Sequence, residues 1–210
     1  MSLQYFFHLA NESAGILYLM LILLLIALVI IIERWRFLAN MDHIGKKTIQ
    51  MCQSANSISQ AEFKKLEQTF SNTPVVRLLN VAVTGERAHL AREELSGNLE
   101  EIIMHEVPRL DKSLWILDTI ITLAPLLGLF GTIIGMFNAF SVLSDVQGGT
   151  SQITSGIAEA LVATASGLLI AMIGLFFFNS LSTRIRLVVH QLETLKIMIL
   201  NRQEIFKEII

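Results

Sequence analysis

The chain is 210 residues long, with 53% apolar side chains, 16% charged ones and a positive mean hydropathy. Soluble domains carry about 25% charge and about 45–50% apolar residues, so this composition excludes an ordinary soluble domain. A formal net charge of -2 offers no basis for nucleic-acid binding, and a single cysteine excludes a disulfide framework and a cysteine-rich metal site.

Read in chain order, residues 1–12 are a short N-terminal segment before the first uncharged run, SAGILYLMLILLLIALVIII at 13–32. Two more uncharged runs follow at 119–144 and 160–183. About 20 apolar residues cross a ~30 Å hydrocarbon core as a helix. The runs are continuous rather than alternating, which argues against strands, and a helix satisfies its own backbone in lipid. Transmembrane helices are therefore expected at 13–33, 119–144 and 158–183, in an all-α integral membrane protein. The first run exceeds the roughly 7–15 residues of a signal-peptide core, lacks a basic stretch before it and ends in Glu33-Arg34-Trp35-Arg36. A retained anchor is expected.

All sixteen Lys and Arg fall within 34–112 and 184–207. The positive-inside rule then makes 34–118 and 184–210 cytoplasmic, and the N-terminus and the 145–157 loop periplasmic. Trp35 and Trp115 fit interfacial anchors at the inner ends of the first two spans. Within 34–118, amphipathic spacing predicts helices over 62–70 and 88–104, with a turn at 71–74 and a break or bend at Pro108 before the next span. In the tail, Ile185, Val188, Leu192, Leu195 and Ile199 share a face that extends the third span as a cytoplasmic helix. The expected role of these helices is packing and oligomerisation. No phosphate-cradling GxxxxGK[ST] and no HExxH is present, and His8, His43, His89, His105 and His190 are scattered singly. Cys52 reads as an inert thiol. Neither enzymatic chemistry nor a cofactor or metal site is expected.

The second and third spans differ from the first, which is large and apolar throughout. Gly128, Gly131 and Gly135 recur at helical spacing in the second, as do Ala160, Thr164, Gly167, Ala171 and Gly174 in the third. Small residues at such intervals let helix backbones approach closely in lipid. Thr132 and Thr164 sit on these faces. Either hydroxyl can simply bond back to its own helix. Glu159 is an acid about one turn inside a span, where such groups face a bundle interior or a wet cavity, or else snorkel to the outer interface. It lies five residues before Thr164, about 140° around the helix, so the two are expected to border one polar seam. A hydroxyl does not titrate in the useful range, and the middle of both spans holds no acid, histidine or lysine. A proton path along this seam therefore needs a carboxylate from another chain.

The runs Leu123-Ala124-Pro125-Leu126-Leu127-Gly128-Leu129-Phe130-Gly131-Thr132-Ile133-Ile134-Gly135-Met136 and Gly156-Ile157-Ala158-Glu159-Ala160-Leu161-Val162-Ala163-Thr164-Ala165-Ser166-Gly167-Leu168 resemble the paired signatures of the MotA/TolQ/ExbB proton-channel family. The resemblance is clear over 110–180, and most like ExbB, then TolQ. It implies a homopentameric bundle in the bacterial inner membrane around an ExbD- or TolR-like single-span dimer. It further implies an ion path at Thr132, Thr164 and Glu159, with output to a TonB- or TolA-like protein for nutrient uptake or envelope maintenance. One departure is visible: Ala171-Met172-Ile173-Gly174-Leu175-Phe176-Phe177-Phe178-Asn179 lacks the proline usual in ExbB and TolQ members, removing an expected irregularity of the third span. A passive scaffold for partner assembly is the competing reading, and sodium is an alternative ion.

Overall fold

The computed structural model describes residues 15–54, 73–141 and 150–201, together with positions 64, 68 and 70. Five α-helices follow one another among them: α1 (Ile16–Ser54), α2 (Pro74–Arg87), α3 (Arg92–Leu110), α4 (Leu114–Ser141) and α5 (Thr150–Asn201). Neither α1 nor α5 contains a proline, and they run unbroken for 39 and 52 residues. Segments of α1, α4 and α5 are long and apolar enough to cross a membrane. The 62–70 helix expected from the sequence lies outside the described residues except at positions 64, 68 and 70.

The chain divides into two units, one formed by Met1–Glu33 with Ser113–Ser180 and the other by Arg34–Lys112 with Leu181–Ile210. In the first, Leu17, Met20, Ala27, Ile30 and Ile31 of α1 are buried with Leu117, Ile120 and Ala124 of α4 and Ala160, Ala163 and Ile170 of α5. The outward surface is a continuous run of large apolar side chains, among them Leu25, Val29, Leu126, Phe130, Phe137, Leu169, Met172 and Phe176. A patch of that extent has to meet lipid or protein.

The second unit has a core that an ordinary soluble bundle would have. Ile44 and Cys52 of α1, Leu78, Leu79 and Ala82 of α2, Leu95, Leu99 and Ile103 of α3, and Leu192, Leu195 and Ile199 of α5 form one buried cluster. Helix α2 was not foreseen from the sequence. Pro74 opens it after Thr73, whose extended backbone suits the position before a helix, and Val75, Leu78, Leu79, Ala82 and Val83 supply its buried stripe. The turn into α3 places His89 at φ 53, and Leu90 N–H donates to Gly85 O at 3.1 Å. Consequently α3 starts at Arg92, not at Ala88. Pro108 lies in its last turn; the helix ends at Leu110, and Ser113 takes φ 68 before α4 begins, so the chain breaks just after Pro108 and ahead of the next span.

Two charged side chains are buried here, each with partners. The Arg34 guanidinium donates to Arg109 O at 3.1 Å and also to Leu110 O, covering carbonyls that the C-terminus of α3 leaves without helical donors. Glu106 accepts from Arg77 Nη1 at 2.6 Å and Arg109 Nη1 at 3.0 Å. Farther along, Lys46 Nζ and Gln191 Nε2 donate to Asp42 at 2.7 and 2.6 Å. Partial burial raises the Asp42 carboxyl, but these two hydrogen bonds and the charges of Lys46 and Arg184 hold it below its ordinary value.

Replacing Glu106 with Ala removes the carboxylate that Arg77 and Arg109 share and opens a gap at a buried position. Because both arginines are partly exposed, the expected loss is about 1–3 kcal/mol. Thermal unfolding of the detergent-solubilised protein measures it, with Glu101→Ala at an exposed position of the same helix as the control.

Candidate ion-path site

The second and third apolar helices, α4 and α5, pack through their small residues. A Cβ added at Gly128 would stand 3.0 Å from Thr164 Cα and 3.1 Å from Ala163 O. One at Gly131 would meet Ala163 Cβ at 2.8 Å, and one at Gly135 would meet Ala160 Cβ at 2.9 Å. From the other side, a Cβ at Gly167 would collide with the Ala124 carbonyl, one at Gly156 would reach Ala139 Cβ at 3.0 Å, and one at Gly174 would reach Ile121 Cγ1 at 2.7 Å. The partners descend along α5 as they rise along α4, so the helices are antiparallel. Backbones this close need glycine where they cross. Ala171 is half-buried beside this face.

The close approach has a polar consequence. Thr164 Oγ1 donates to Gly128 O on the neighbouring helix at 3.0 Å. Thr132, one turn beyond Gly128, donates instead to Leu129 O in its own helix at 2.6 Å. Of the two hydroxyls weighed as back-bonding from the sequence, one bonds back and one bridges helices.

Helical geometry places both on one edge of the pair. At about 100° per residue, Thr132 is displaced about 40° from Gly128 in the direction of increasing residue number, and Thr164 about 100° from Ala163 in the same direction. For antiparallel helices, displacements of the same sense fall on the same side. Glu159 is displaced about 40° from Ala163 in the opposite sense, so the packed face lies between it and Thr164. It accepts from Ser155 Oγ at 3.0 Å. The single seam expected to join Thr132, Thr164 and Glu159 is therefore drawn here as two edges: the threonines share one, and Glu159 and Ser155 lie on the other. Ile16 of α1 approaches the place of a Gly131 Cβ within 3.6 Å, on the side away from Thr132. Around the threonines, Leu129, Met136, Leu161 and Leu168 are exposed. That edge is open to a further helix.

The two tryptophans differ. Trp35 lies under the Arg184 guanidinium, 4.0 Å from its ring centre, whereas Trp115 is 70% exposed. Sequence reasoning missed Asp118. Helix α4 begins at Leu114, ahead of the uncharged run, so this exposed carboxylate belongs to the same helix as Thr132. The signal was the helix-compatible stretch Leu114-Trp115-Ile116-Leu117 before it.

A profile of the MotA/TolQ/ExbB proton channel family matches residues 55–194, more than half of the chain. The chain belongs to this family. Its relatives include the biopolymer transport protein ExbB-like 3 of Synechocystis sp., 33% identical over 159 residues that make up 74% of each chain. The Tol-Pal system protein TolQ of Pseudomonas aeruginosa is 39% identical over 98 residues, 46% of this chain and 42% of that protein. The biopolymer transport protein ExbB of Pseudomonas putida is 28% identical over 134 residues, 62% of this chain and 41% of that protein. Both of these latter matches cover less than half of the relative's length. The family is one of proton channels rather than enzymes.

Gly167→Ala is expected to force α4 and α5 apart, because the added methyl meets a backbone carbonyl that cannot swing away. The cost should be about 1–3 kcal/mol, measured by unfolding in detergent. Gly97→Ala, at a helical glycine with nothing within 4 Å, should instead stabilise by about 0.5–1 kcal/mol.

Proposed function

We propose that this chain is the proton-channel and stator subunit of an inner-membrane motor, closest to ExbB in role. Five copies surround an ExbD- or TolR-like single-span dimer, and the proton motive force is passed to a TonB- or TolA-like protein that crosses the periplasm for nutrient uptake. The observation that carries this reading is the exposed α4–α5 edge with Thr132 and Thr164 on it. Two hydroxyls in an apolar surface can hydrogen-bond a proton-carrying acid or its water, yet neither can bind and release the proton itself. An aspartate on a partner helix supplies the missing group. The N-terminus and the 145–157 loop lie in the periplasm, and the C-terminus in the cytoplasm, as the basic residues direct. Spans at 13–33, 119–144 and 158–183 anchor this topology. Each proton crossing the field releases about 2.3 kcal/mol per 100 mV.

Glu159, on the other edge near the periplasmic end, serves the path as an entry-side carboxylate. An envelope-maintenance motor of the TolQ kind is the second reading, favoured by the 39% identity to TolQ proteins.

Thr132→Val and Thr164→Val should leave the oligomer intact and abolish growth that depends on energised outer-membrane uptake. Native mass spectrometry follows the assembly, and uncoupler-sensitive uptake follows the output. A double variant with full uptake would reject the polar path and favour a passive scaffold.

A further inference from the structure

Asp118 is the described charged side chain of α4, and the proposed path does not yet use it. It is exposed on α4 and stands fourteen residues before Thr132, about 21 Å along the axis and within about 40° of it around the helix. Thr122 lies about 40° to the other side of Asp118, one turn farther into the membrane, and its hydroxyl donates to Asp118 O at 3.2 Å and Thr119 O at 2.9 Å. Pro125 falls between Asp118 and Thr132 on the same flank. Having no N–H, it leaves the Ile121 carbonyl without its helical donor. Asp118, Ile121 O, Thr122 and Thr132 thus give one flank of α4 a ladder of oxygens. Exposed Leu129 and Met136 also lie on this flank, and the exposed arc beyond it carries Leu123, Leu126, Phe130 and Phe137 with the Thr119 hydroxyl among them. An interfacial carboxylate placed at random has no reason to share the flank of the threonines.

We propose that Asp118 is the cytoplasmic proton acceptor of the path. This rests on the reading of Thr132 and Thr164 given above and adds its exit. A proton released from the partner's acid near the threonines moves through water along this flank and forms an O–H bond with the Asp118 carboxylate. That bond then breaks to bulk water or buffer, restoring the carboxylate, so no charge accumulates and no other reactant is consumed. The other described charged groups of the spanning unit, Glu33 and Glu159, lie on α1 and α5. Glu159, about sixteen residues' rise from this level by the pairing of Gly174 with Ile121 and Leu117, cannot substitute.

The test uses membrane vesicles prepared from cells expressing the full chain with whatever partner accompanies it, with proton flux read by a pH-sensitive dye at fixed potential. Vesicles from cells lacking the chain give the background. Asp118→Asn should lower the flux about tenfold or more while the oligomer persists. Asp118→Glu should retain it, and imidazole on the cytoplasmic face should restore it to Asp118→Asn. Rescue by a mobile buffer marks a proton handover, which a structural role would not show. Normal flux in Asp118→Asn together with lost flux in Thr132→Val would overturn this inference and leave the path standing. Loss of flux that neither Glu nor imidazole restores would also overturn it. Normal flux in both variants would instead overturn the proposed function itself.

Discussion

The packing of α4 against α5 is the constraint on which the rest depends. Lipid offers no hydrophobic drive for two apolar helices to associate, so close packing and hydrogen bonds between helices have to hold them. Gly128, Gly135, Gly156 and Gly167 remove the atoms that would keep the backbones apart. Only at that separation does the Thr164 hydroxyl reach Gly128 O across the interface. The same register sets which side chains remain on the open edge. A local requirement for missing methyl groups thus determines where the polar atoms of the spanning unit are presented.

The second unit is built by different physics. Its core is Leu, Ile and Val from four helices, and its buried charges are met by opposing groups or by helix-end carbonyls. Arg34 reaches carbonyls 75 and 76 residues away in sequence, holding the end of α3. Gly45 serves a close approach here too, since Gln191 occupies the space its Cβ would need. In water, burial of this core supplies the association that small residues supply in lipid. One chain therefore uses two ways of packing helices, matched to two solvents.

Much of this was legible in the sequence. Continuous uncharged runs pointed to the three long apolar helices, because nothing else in a chain of this size needs them. The spacing of Gly128, Gly131 and Gly135 marked the face through which α4 packs. The register between the helices was not legible, and it decides how each threonine bonds and on which edge Glu159 falls. The 140° between Glu159 and Thr164 was readable, but not that α4 would lie within that arc. Helix α2 escaped notice because Val75, Val76, Val81 and Val83 are β-branched and its stripe is short; tertiary burial overrides that weak local preference. The Arg34 contacts depend on pairing across 75 residues, which no local pattern announces.

The central claim is that the edge carrying Thr132 and Thr164 is wet while the opposite arc of α4 is not. Single cysteines at positions 132, 164, 126 and 137, each in a Cys52→Ser background, can be challenged in intact membranes with a water-soluble thiol reagent. Labelling at 132 and 164 with protection at 126 and 137 is the expected result. Protection at both threonine positions with labelling at 126 or 137 would contradict the account.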